Sequence, residues 1–213
     1  MPTMQRIILP LLLLFSAGLL SQSMSKNYKT IAIERRIEAP AERVWEALVT
    51  DYGEISNFSP FIYTSDYLKG SLKGEIGARR KCAFNAKGTQ WTHEEIRQID
   101  ADRMLMKNVI IDAQKFPLDT DNSYATYHVR DNGDGTSTAG YTFHFRTKPA
   151  FLGTIAKGSF KKSLNETLIG LEHYLETGEH VTGGSENAKR VIKAYRESGE
   201  YSNYVEPVEP VSL

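Results

Sequence analysis

The sequence predicts one α+β domain in which a curved antiparallel sheet of about seven strands wraps around one long C-terminal helix. Three observations lead to this fold class. Short runs in the first two thirds of the chain alternate apolar and polar residues, as half-buried strands do. Turn residues separate consecutive runs, which implies antiparallel pairing. A single run with helical spacing follows at 151–176, and a strongly curved sheet is one way to bury its apolar stripe.

The domain is predicted to begin with a strand and two short helices. Residues 28–38 alternate so that their isoleucines share one face. Pro40 and Glu42 are typical of the first turn of a helix, and apolar residues at helical spacing follow them. Residues 51–58 predict a second, shorter helix after a turn at Gly53.

Six more strands are predicted downstream, because the alternation continues between turn signals. Lys87–Gly88 marks one hairpin. Asp131–Gly135 is rich in residues that tolerate positive φ, and it is expected to connect the last two strands. The six predicted strands are 61–68, 75–84, 89–99, 103–112, 123–130 and 136–146.

The long helix at 151–176 carries apolar residues at spacings of three to five, opposite a face rich in lysine and glutamate. The residues of this apolar stripe are Leu152, Ile155, Phe160, Leu164, Leu168, Leu171 and Leu175. Gly178 is a natural helix stop. We expect the domain to span 28–179. The remaining segment, 180–213, is expected to hold a short amphipathic helix at 186–197 and a loose C-terminal tail, because prolines interrupt its last residues.

The first 25 residues, 1–25, are typical of a secretory signal peptide. Arg6 gives a positive start, residues 7–20 form an apolar run, and small residues at 21–23 offer a cleavage site. About 20 apolar residues are needed to cross a bilayer, so this run is short for a transmembrane helix. We therefore expect a periplasmic or secreted protein after cleavage. The alternative is a membrane anchor formed by 7–20.

The composition gives no reason to expect several classes of partner, and it rules out an internal disulfide. The 26 basic residues balance 26 acidic residues, so the net charge gives no reason to expect a nucleic-acid partner. A hydrophobic fraction of 40% fits a globular chain. Cys82 is the chain's single cysteine, so no intramolecular disulfide can form. A lone cysteine within a predicted strand is expected to be a buried apolar side chain.

The segment Ile37–Leu48, with the sequence IEAPAERVWEAL, resembles the opening of the START-like (SRPBCC) superfamily, of the polyketide cyclase/dehydrase and lipid-transport type. Asn132–Thr136 is similar to the last hairpin of that group, and 151–179 is similar to its closing helix. The resemblance covers about 29–179 and implies a helix-grip fold with a hydrophobic cavity. It further implies binding or carriage of lipids, sterols, quinones or polyketide-like rings, although some members are cyclases. The chain departs from the ring-hydroxylase branch, because it lacks that branch's extra iron-ligand pair.

Aromatic side chains are the main candidates for ligand contact, because small-molecule pockets are mostly apolar with a few placed polar groups. In a helix-grip fold, residues 52–61 and 149–151 lie at the cavity entrance. The apolar loop 57–61 is also expected to make transient membrane contact. The predicted ligand-binding residues are Trp45, Tyr52, Phe58, Phe61, Arg80, Trp91, Tyr127, Phe145, Phe151 and Phe160.

Arg80 is the most informative polar residue, because it shares a predicted strand face with apolar neighbours. A buried guanidinium needs an acidic partner or a polar ligand group, and the partner we expect is Glu95 on the next strand, unless the side chain reaches the rim. His93 and Glu95 alternate with Trp91 on one face of that strand, but Ile96 competes for the inside, so the register stays open. An enzyme would combine Arg80 with His93 or Glu95.

No metal, cofactor or nucleotide site is predicted. The five histidines lack the close spacing of a ligand pair, and the Asp131–Gly135 turn lacks the later ligands of a calcium loop. No nucleophile elbow, phosphate loop or dinucleotide fingerprint is present.

The sequence therefore favours an exported, non-enzymatic binding or carrier protein for a hydrophobic small molecule. Two alternatives remain open: a cyclase or dehydratase acting on such a molecule, and an interaction module with a collapsed cavity. The expected partner is the hydrophobic ligand, with transient membrane contact and no nucleic acid. The ligand's identity and the oligomeric state stay open.

Overall fold

A computed structural model describes residues 28–209 and 211–213, so the predicted signal segment at 1–25 lies outside the described residues. Within them, seven strands form one antiparallel sheet in the order β1-β7-β6-β5-β4-β3-β2. The sheet is curved and open, which confirms the predicted fold class. The strands are β1 Lys29–Ile37, β2 Thr64–Tyr67, β3 Arg79–Ala83, β4 Trp91–Asp100, β5 Leu105–Gln114, β6 Tyr124–Asp131 and β7 Ser137–Phe145.

Short helices follow β1, and the long helix follows β7, in the order that the sequence predicts. None of the helices in 28–209 or 211–213 has the length and apolar character needed to span a bilayer. The helices are α1 Ala41–Trp45, which continues into a π-helical turn at Glu46–Thr50, α2 Leu152–Thr177 and α3 Glu186–Glu197, with 3₁₀ turns at Tyr52–Asn57, Thr120–Asn122 and Glu200–Ser202.

The two halves of α2 have different surroundings. From Asn165 to Leu171 every residue is buried, and Leu168 and Leu171 belong to the main core. The first half is mostly exposed or half-buried. The apolar spacing placed Ile155 in the buried stripe, but its side chain is 73% exposed, because the core contacts of α2 concentrate in its second half.

Strands β2 and β3 are shorter than their alternation predicts. The strand predicted at 75–84 begins only at Arg79, because Gly77 has φ of +91° and the amide of Ala78 donates to the carbonyl of Glu75 at 2.9 Å. These features form a turn where the alternation predicted the start of the strand. Ile76, placed by the alternation on the buried face, is consequently 57% exposed.

Part of the C-terminal segment, around Val205, docks on the domain, where the sequence predicts a loose tail. Val205 exchanges two backbone hydrogen bonds of 2.8 Å with Glu34 on the free edge of β1. Lys161 on α2 also pairs with Glu206. The prolines that suggest disorder do not prevent this docking, because the edge of β1 offers unpaired backbone groups to Val205.

The main core lies between the sheet, the first helices and α2, and α3 adds a smaller cluster behind α2. Val181, Ala188, Val191 and Ile192 bury Ile169 on that side. The Ser185 side chain caps α3 by accepting from the amide of Ala188 at 3.0 Å.

Gly170 on α2 allows the closest approach between this helix and the loop after the first helices. A Cβ atom at position 170 would lie 2.2 Å from the carbonyl oxygen of Phe58. Ser59 next to it shares a hydrogen bond of 2.8 Å with Thr167 on α2. Only glycine fits at this contact, because the Phe58 carbonyl belongs to the backbone and the next residue, Ser59, is hydrogen-bonded to α2.

We predict that Gly170→Ala lowers the free energy of unfolding by about 1–3 kcal/mol, because the added methyl group must displace backbone. Gly158→Ala is the matched control on the same helix, since nothing lies within 4 Å of its added Cβ. That control should raise the free energy of unfolding by about 0.5–1 kcal/mol through helix propensity. Urea denaturation measures both, and equal changes in the two variants would contradict the close approach.

Candidate functional site

A cavity of about 90 Å³ lies between the sheet and α2. Its wall is built from strands β3 to β7, from α2 and from the loops next to them. Two groups of residues line it. The apolar group is Ile55, Phe61, Ile62, Phe84, Ile110, Phe116, Leu118, Ala125, Phe143, Phe160 and Leu164. The polar group is Arg80, Thr92, Glu94, Asn108, Tyr127, Tyr141, Ser163 and Thr167.

The apolar wall contains a continuous row of half-buried aromatic rings. The ring centroids of Phe61 and Phe84 are 5.2 Å apart and stacked, and those of Phe84 and Phe116 are 4.5 Å apart and stacked. Phe116 reaches Phe160 on α2 at 5.9 Å. Because each ring is partly exposed, this row is where the cavity wall meets the protein surface.

The polar wall is organised by an ion pair between Arg80 on β3 and Glu94 on β4. These residues lie directly opposite each other in the sheet. Nε and Nη2 of Arg80 donate to one carboxylate oxygen of Glu94 at 3.0 and 2.7 Å. Arg80 is 1% exposed and Glu94 is 9% exposed, so the pair is buried. Such a pair persists only when further hydrogen bonds satisfy its remaining atoms.

Neighbouring groups complete the hydrogen bonding of the ion pair. Arg80 donates from Nη1 to the backbone carbonyl of Tyr52 at 2.6 Å and from Nη2 to the hydroxyl of Tyr127 at 3.0 Å. Asn108 donates to the Glu94 carboxylate at 3.0 Å, and Thr92 donates to its other oxygen at 2.9 Å. All four side chains are buried, so the charges are neutralised by protein groups rather than by water.

The guanidinium also lies over the ring of Tyr52, with 3.9 Å from its central carbon to the ring centroid. The Tyr52 hydroxyl donates to Asn108 at 2.5 Å. Tyr52 therefore contacts the charged cluster with its carbonyl, its ring and its hydroxyl. This triple contact connects the 3₁₀ turn after α1 to strands β3 and β5.

Burial and charge fix the protonation states of the cluster. Burial by itself lowers the pKa of Arg80, but the Glu94 carboxylate outweighs it, and the pKa lies well above its ordinary value. Burial raises the pKa of Tyr127 to about 12 and that of Tyr141 well above its usual range. The phenols therefore keep their protons at neutral pH, and one positive and one negative charge cancel at the polar wall.

Four of the ten residues predicted to contact a ligand line the cavity: Phe61, Arg80, Tyr127 and Phe160. Three others are buried elsewhere in the core. Phe145 packs edge-on against Phe160, with ring centroids 4.9 Å apart. The other two are Tyr52, which holds Arg80 from outside the cavity, and Phe58.

The remaining three predicted residues lie away from the cavity wall. Trp45 is partly buried against the core. Trp91 stacks on His93 on the outer face of the sheet, at 4.2 Å between ring centroids. Phe151 is 69% exposed just before α2, because the first half of that helix has few core contacts.

The expected pairing of Arg80 with Glu95 is wrong, because the strand register places Glu94 opposite Arg80 and Glu95 opposite Arg79. Glu95 lies on the outer face, where Arg79 binds it at 2.7 Å. His93 shares that face and lies 3.8 Å from Asp112. Arg80, His93 and Glu95 therefore do not converge, and the catalytic combination proposed for them does not form.

Sequence reasoning missed Glu94, Asn108 and Tyr141 as residues of the cavity wall. A signal for Glu94 exists, because it alternates with Ile96, which is fully buried, and so shares the inward face of β4. Asn108 similarly alternates with the buried Met106 and Ile110 on β5. A polar residue at an inward position between apolar ones marks a buried polar site.

Neither an activated thiol nor a group of metal ligands is found among the described residues. Burial raises the pKa of the Cys82 thiol to about 12, and the side chain is fully buried beside Ser65. That thiol is consequently a poor nucleophile. Among residues 28–209 and 211–213, no group of three metal-ligating side chains comes together.

Comparison with known proteins gives one family and several similar folds. The family described as polyketide cyclase/dehydrase and lipid transport matches residues 29–176. No curated protein matches the chain.

Solved structures match most of the chain at low sequence identity. Protein XoxI from Bacillus cereus is 20% identical with a TM-score of 0.53, covering 71% of this chain and 98% of its own. Ara h 8.0201 is 19% identical with a TM-score of 0.57, covering 70% and 99%. Major latex-like protein 151 from Panax ginseng is 16% identical with a TM-score of 0.56, covering 69% and 97%. These similarities show a shared fold.

We predict that Arg80→Met lowers the free energy of unfolding by about 3–5 kcal/mol, because it leaves Glu94 buried without its counter-charge. Arg79→Met is the matched control at the next position, where the side chain is 55% exposed. Its loss should not exceed about 1 kcal/mol, because Glu95 keeps a second partner in Arg97 at 3.1 Å. The double variant Arg80→Met with Glu94→Leu should recover part of the loss. Chemical denaturation measures all three, and equal losses at positions 79 and 80 would contradict the role of the buried pair.

Proposed function

Because the chain belongs to the polyketide cyclase/dehydrase and lipid-transport family, we propose that it binds and carries a small hydrophobic molecule in the cavity between the sheet and α2. The observation that carries this proposal is the cavity wall. Apolar side chains form most of it, and its polar groups are concentrated around the neutralised pair of Arg80 and Glu94. That combination is typical of sites that hold an apolar ligand in one orientation.

The cavity volume limits the size of the ligand that fits without rearrangement. A dry cavity of about 150 Å³ takes one benzene molecule, and pockets for drug-sized ligands are about 300–1,000 Å³. The cavity of about 90 Å³ is smaller than that benzene-sized cavity, so even a single ring or one end of a longer molecule requires some outward movement of the wall. A larger ligand requires the aromatic row of Phe61, Phe84, Phe116 and Phe160 to move outward, and the partial exposure of these rings favours that movement.

Carriage is favoured over catalysis by the chemistry at the polar wall. Glu94 is engaged by Arg80, Asn108 and Thr92, and the phenols keep their protons. A general base or nucleophile needs a poised pKa or a free lone pair directed at the ligand. The groups around Arg80 instead supply fixed hydrogen bonds, which suit reversible binding.

We also propose that the protein works outside the cytoplasm. The apolar run at 7–20, the positive residue Arg6 and the small residues at 21–23 support this proposal. A carrier for a poorly soluble molecule is useful in an aqueous compartment between membranes, where apolar ligands do not diffuse freely.

Ligand carriage predicts that the protein purified from its own host holds a hydrophobic molecule. Native mass spectrometry followed by organic extraction should detect that molecule at near-stoichiometric occupancy. Ser163→Trp should reduce occupancy at least tenfold, because position 163 lines the cavity and the indole fills it. Ser159→Trp is the matched control, because Ser159 is exposed on the same helix and does not line the cavity.

The result that would reject carriage is equal occupancy in the two variants, or a parent protein that neither retains nor takes up any apolar molecule. Circular dichroism melting curves confirm that both tryptophan variants remain folded.

Export predicts that the full chain, 1–213, expressed in a bacterium with two membranes, appears in the periplasmic fraction with its N-terminal segment removed. A chain starting at residue 26 should stay in the cytoplasmic fraction. Intact mass of the purified protein locates the cleavage site. A periplasmic product that keeps residues 1–25 would favour the membrane-anchored alternative, and a cytoplasmic full chain would reject export.

A further inference from the structure

The hydroxyl of Tyr141 is a buried polar group without a protein partner on the cavity wall. Tyr141 is 1% exposed, and its side chain lines the cavity from β7. Among the described residues its hydroxyl has no hydrogen-bond partner. A buried hydroxyl without a partner costs free energy, so the molecule that occupies the cavity is its natural partner.

Tyr127 presents a second hydroxyl beside the first. The Tyr127 and Tyr141 rings pack edge-to-face, with centroids 4.7 Å apart. The Tyr127 oxygen accepts a hydrogen bond from Arg80 at 3.0 Å. Because a guanidinium only donates, the phenolic proton of Tyr127 is not used in that contact. Each tyrosine therefore lines the cavity and keeps a phenolic proton that no described protein group accepts.

The charges at the polar wall are already neutralised within the protein. The Glu94 carboxylate accepts from Arg80 and Asn108 on one oxygen and from Thr92 on the other. An anionic ligand would approach this carboxylate without a free positive group to compensate. A cationic ligand would compete with Arg80 for Glu94. Only an uncharged ligand leaves the pair undisturbed.

We propose that the ligand is a neutral carbonyl compound, such as a ketone, an aldehyde or a quinone. Its oxygen accepts the hydrogen bond that Tyr141 donates, with Tyr127 as the second donor, and its hydrocarbon part lies against the aromatic row. This inference rests on the proposed ligand-binding function and narrows its ligand class. A carbonyl oxygen has two lone pairs, so it can accept from both phenolic protons at once.

Three single-ring probes of similar size test the proposal on the purified full domain. Acetophenone carries the neutral acceptor, ethylbenzene lacks it, and benzoate is an anion. Calorimetry or amide chemical-shift titration measures each dissociation constant. We expect acetophenone to bind about three- to tenfold more tightly than ethylbenzene, as one net hydrogen bond provides. Benzoate should bind at least tenfold more weakly than acetophenone.

Tyr141→Phe removes the donor while keeping the ring. It should abolish the preference for acetophenone and leave ethylbenzene affinity unchanged, whereas a general disturbance of the cavity would weaken both probes. Tyr124→Phe is the matched control, because Tyr124 lies on neighbouring β6 but stacks on His144 outside the cavity. It should leave all three affinities unchanged.

The outcomes separate this inference from the proposed function. If the parent protein binds ethylbenzene as tightly as acetophenone, or prefers benzoate, the neutral-carbonyl inference is overturned while hydrophobic binding stands. A preference for acetophenone that survives Tyr141→Phe overturns the role of Tyr141. If the parent protein binds none of the three probes, both the inference and the proposed function fail.

Discussion

The buried guanidinium of Arg80 is the constraint around which the concave side of the sheet is arranged. A charge that is 1% exposed must be neutralised by nearby protein groups, because its desolvation costs several kcal/mol. Glu94 supplies the counter-charge, and Tyr52 and Tyr127 accept the remaining donors. These contacts join β3, β4, β6 and the 3₁₀ turn after α1. One ionic group thereby fixes strand register, helix position and the polar wall of the cavity together.

Arg80 also shows which features of the site the sequence predicts and which it does not. The alternation around Arg80 placed a charged group on an inward face and predicted that it needs a partner. Its partner was misassigned because the pairing register of β3 and β4, which places Glu94 opposite Arg80, does not follow from the alternation of β3 alone. Strand boundaries failed where glycines at positive φ made turns, as before Arg79. The bounds of the long helix were predicted to within one residue, because its apolar spacing is unambiguous. That spacing did not reveal that the side chains of Phe151 and Ile155 are exposed.

The contacts that stabilise the core and those that line the cavity are separated along α2. The half from Asn165 to Leu171 is buried and carries the core contacts. The cavity wall takes Phe160, Ser163 and Leu164 from the half-buried stretch before it. Segments with few buried contacts open locally at a lower free-energy cost than global unfolding. The arrangement allows this stretch, with Phe160, to move away from Phe61, Phe84 and Phe116 while the second half of the helix holds the domain together.

The docking of Val205 on β1 affects how the protein behaves among other protein molecules at high concentration. An open sheet has two edge strands, and unpaired backbone groups on an edge invite pairing with another chain. At one edge of this sheet, Glu34 already exchanges its backbone hydrogen bonds with Val205. The other edge is β2, which offers only four residues. Short or covered edges resist intermolecular strand addition, so the segment docked at Glu34 interrupts the free edge of β1 at its middle, where another chain would otherwise pair.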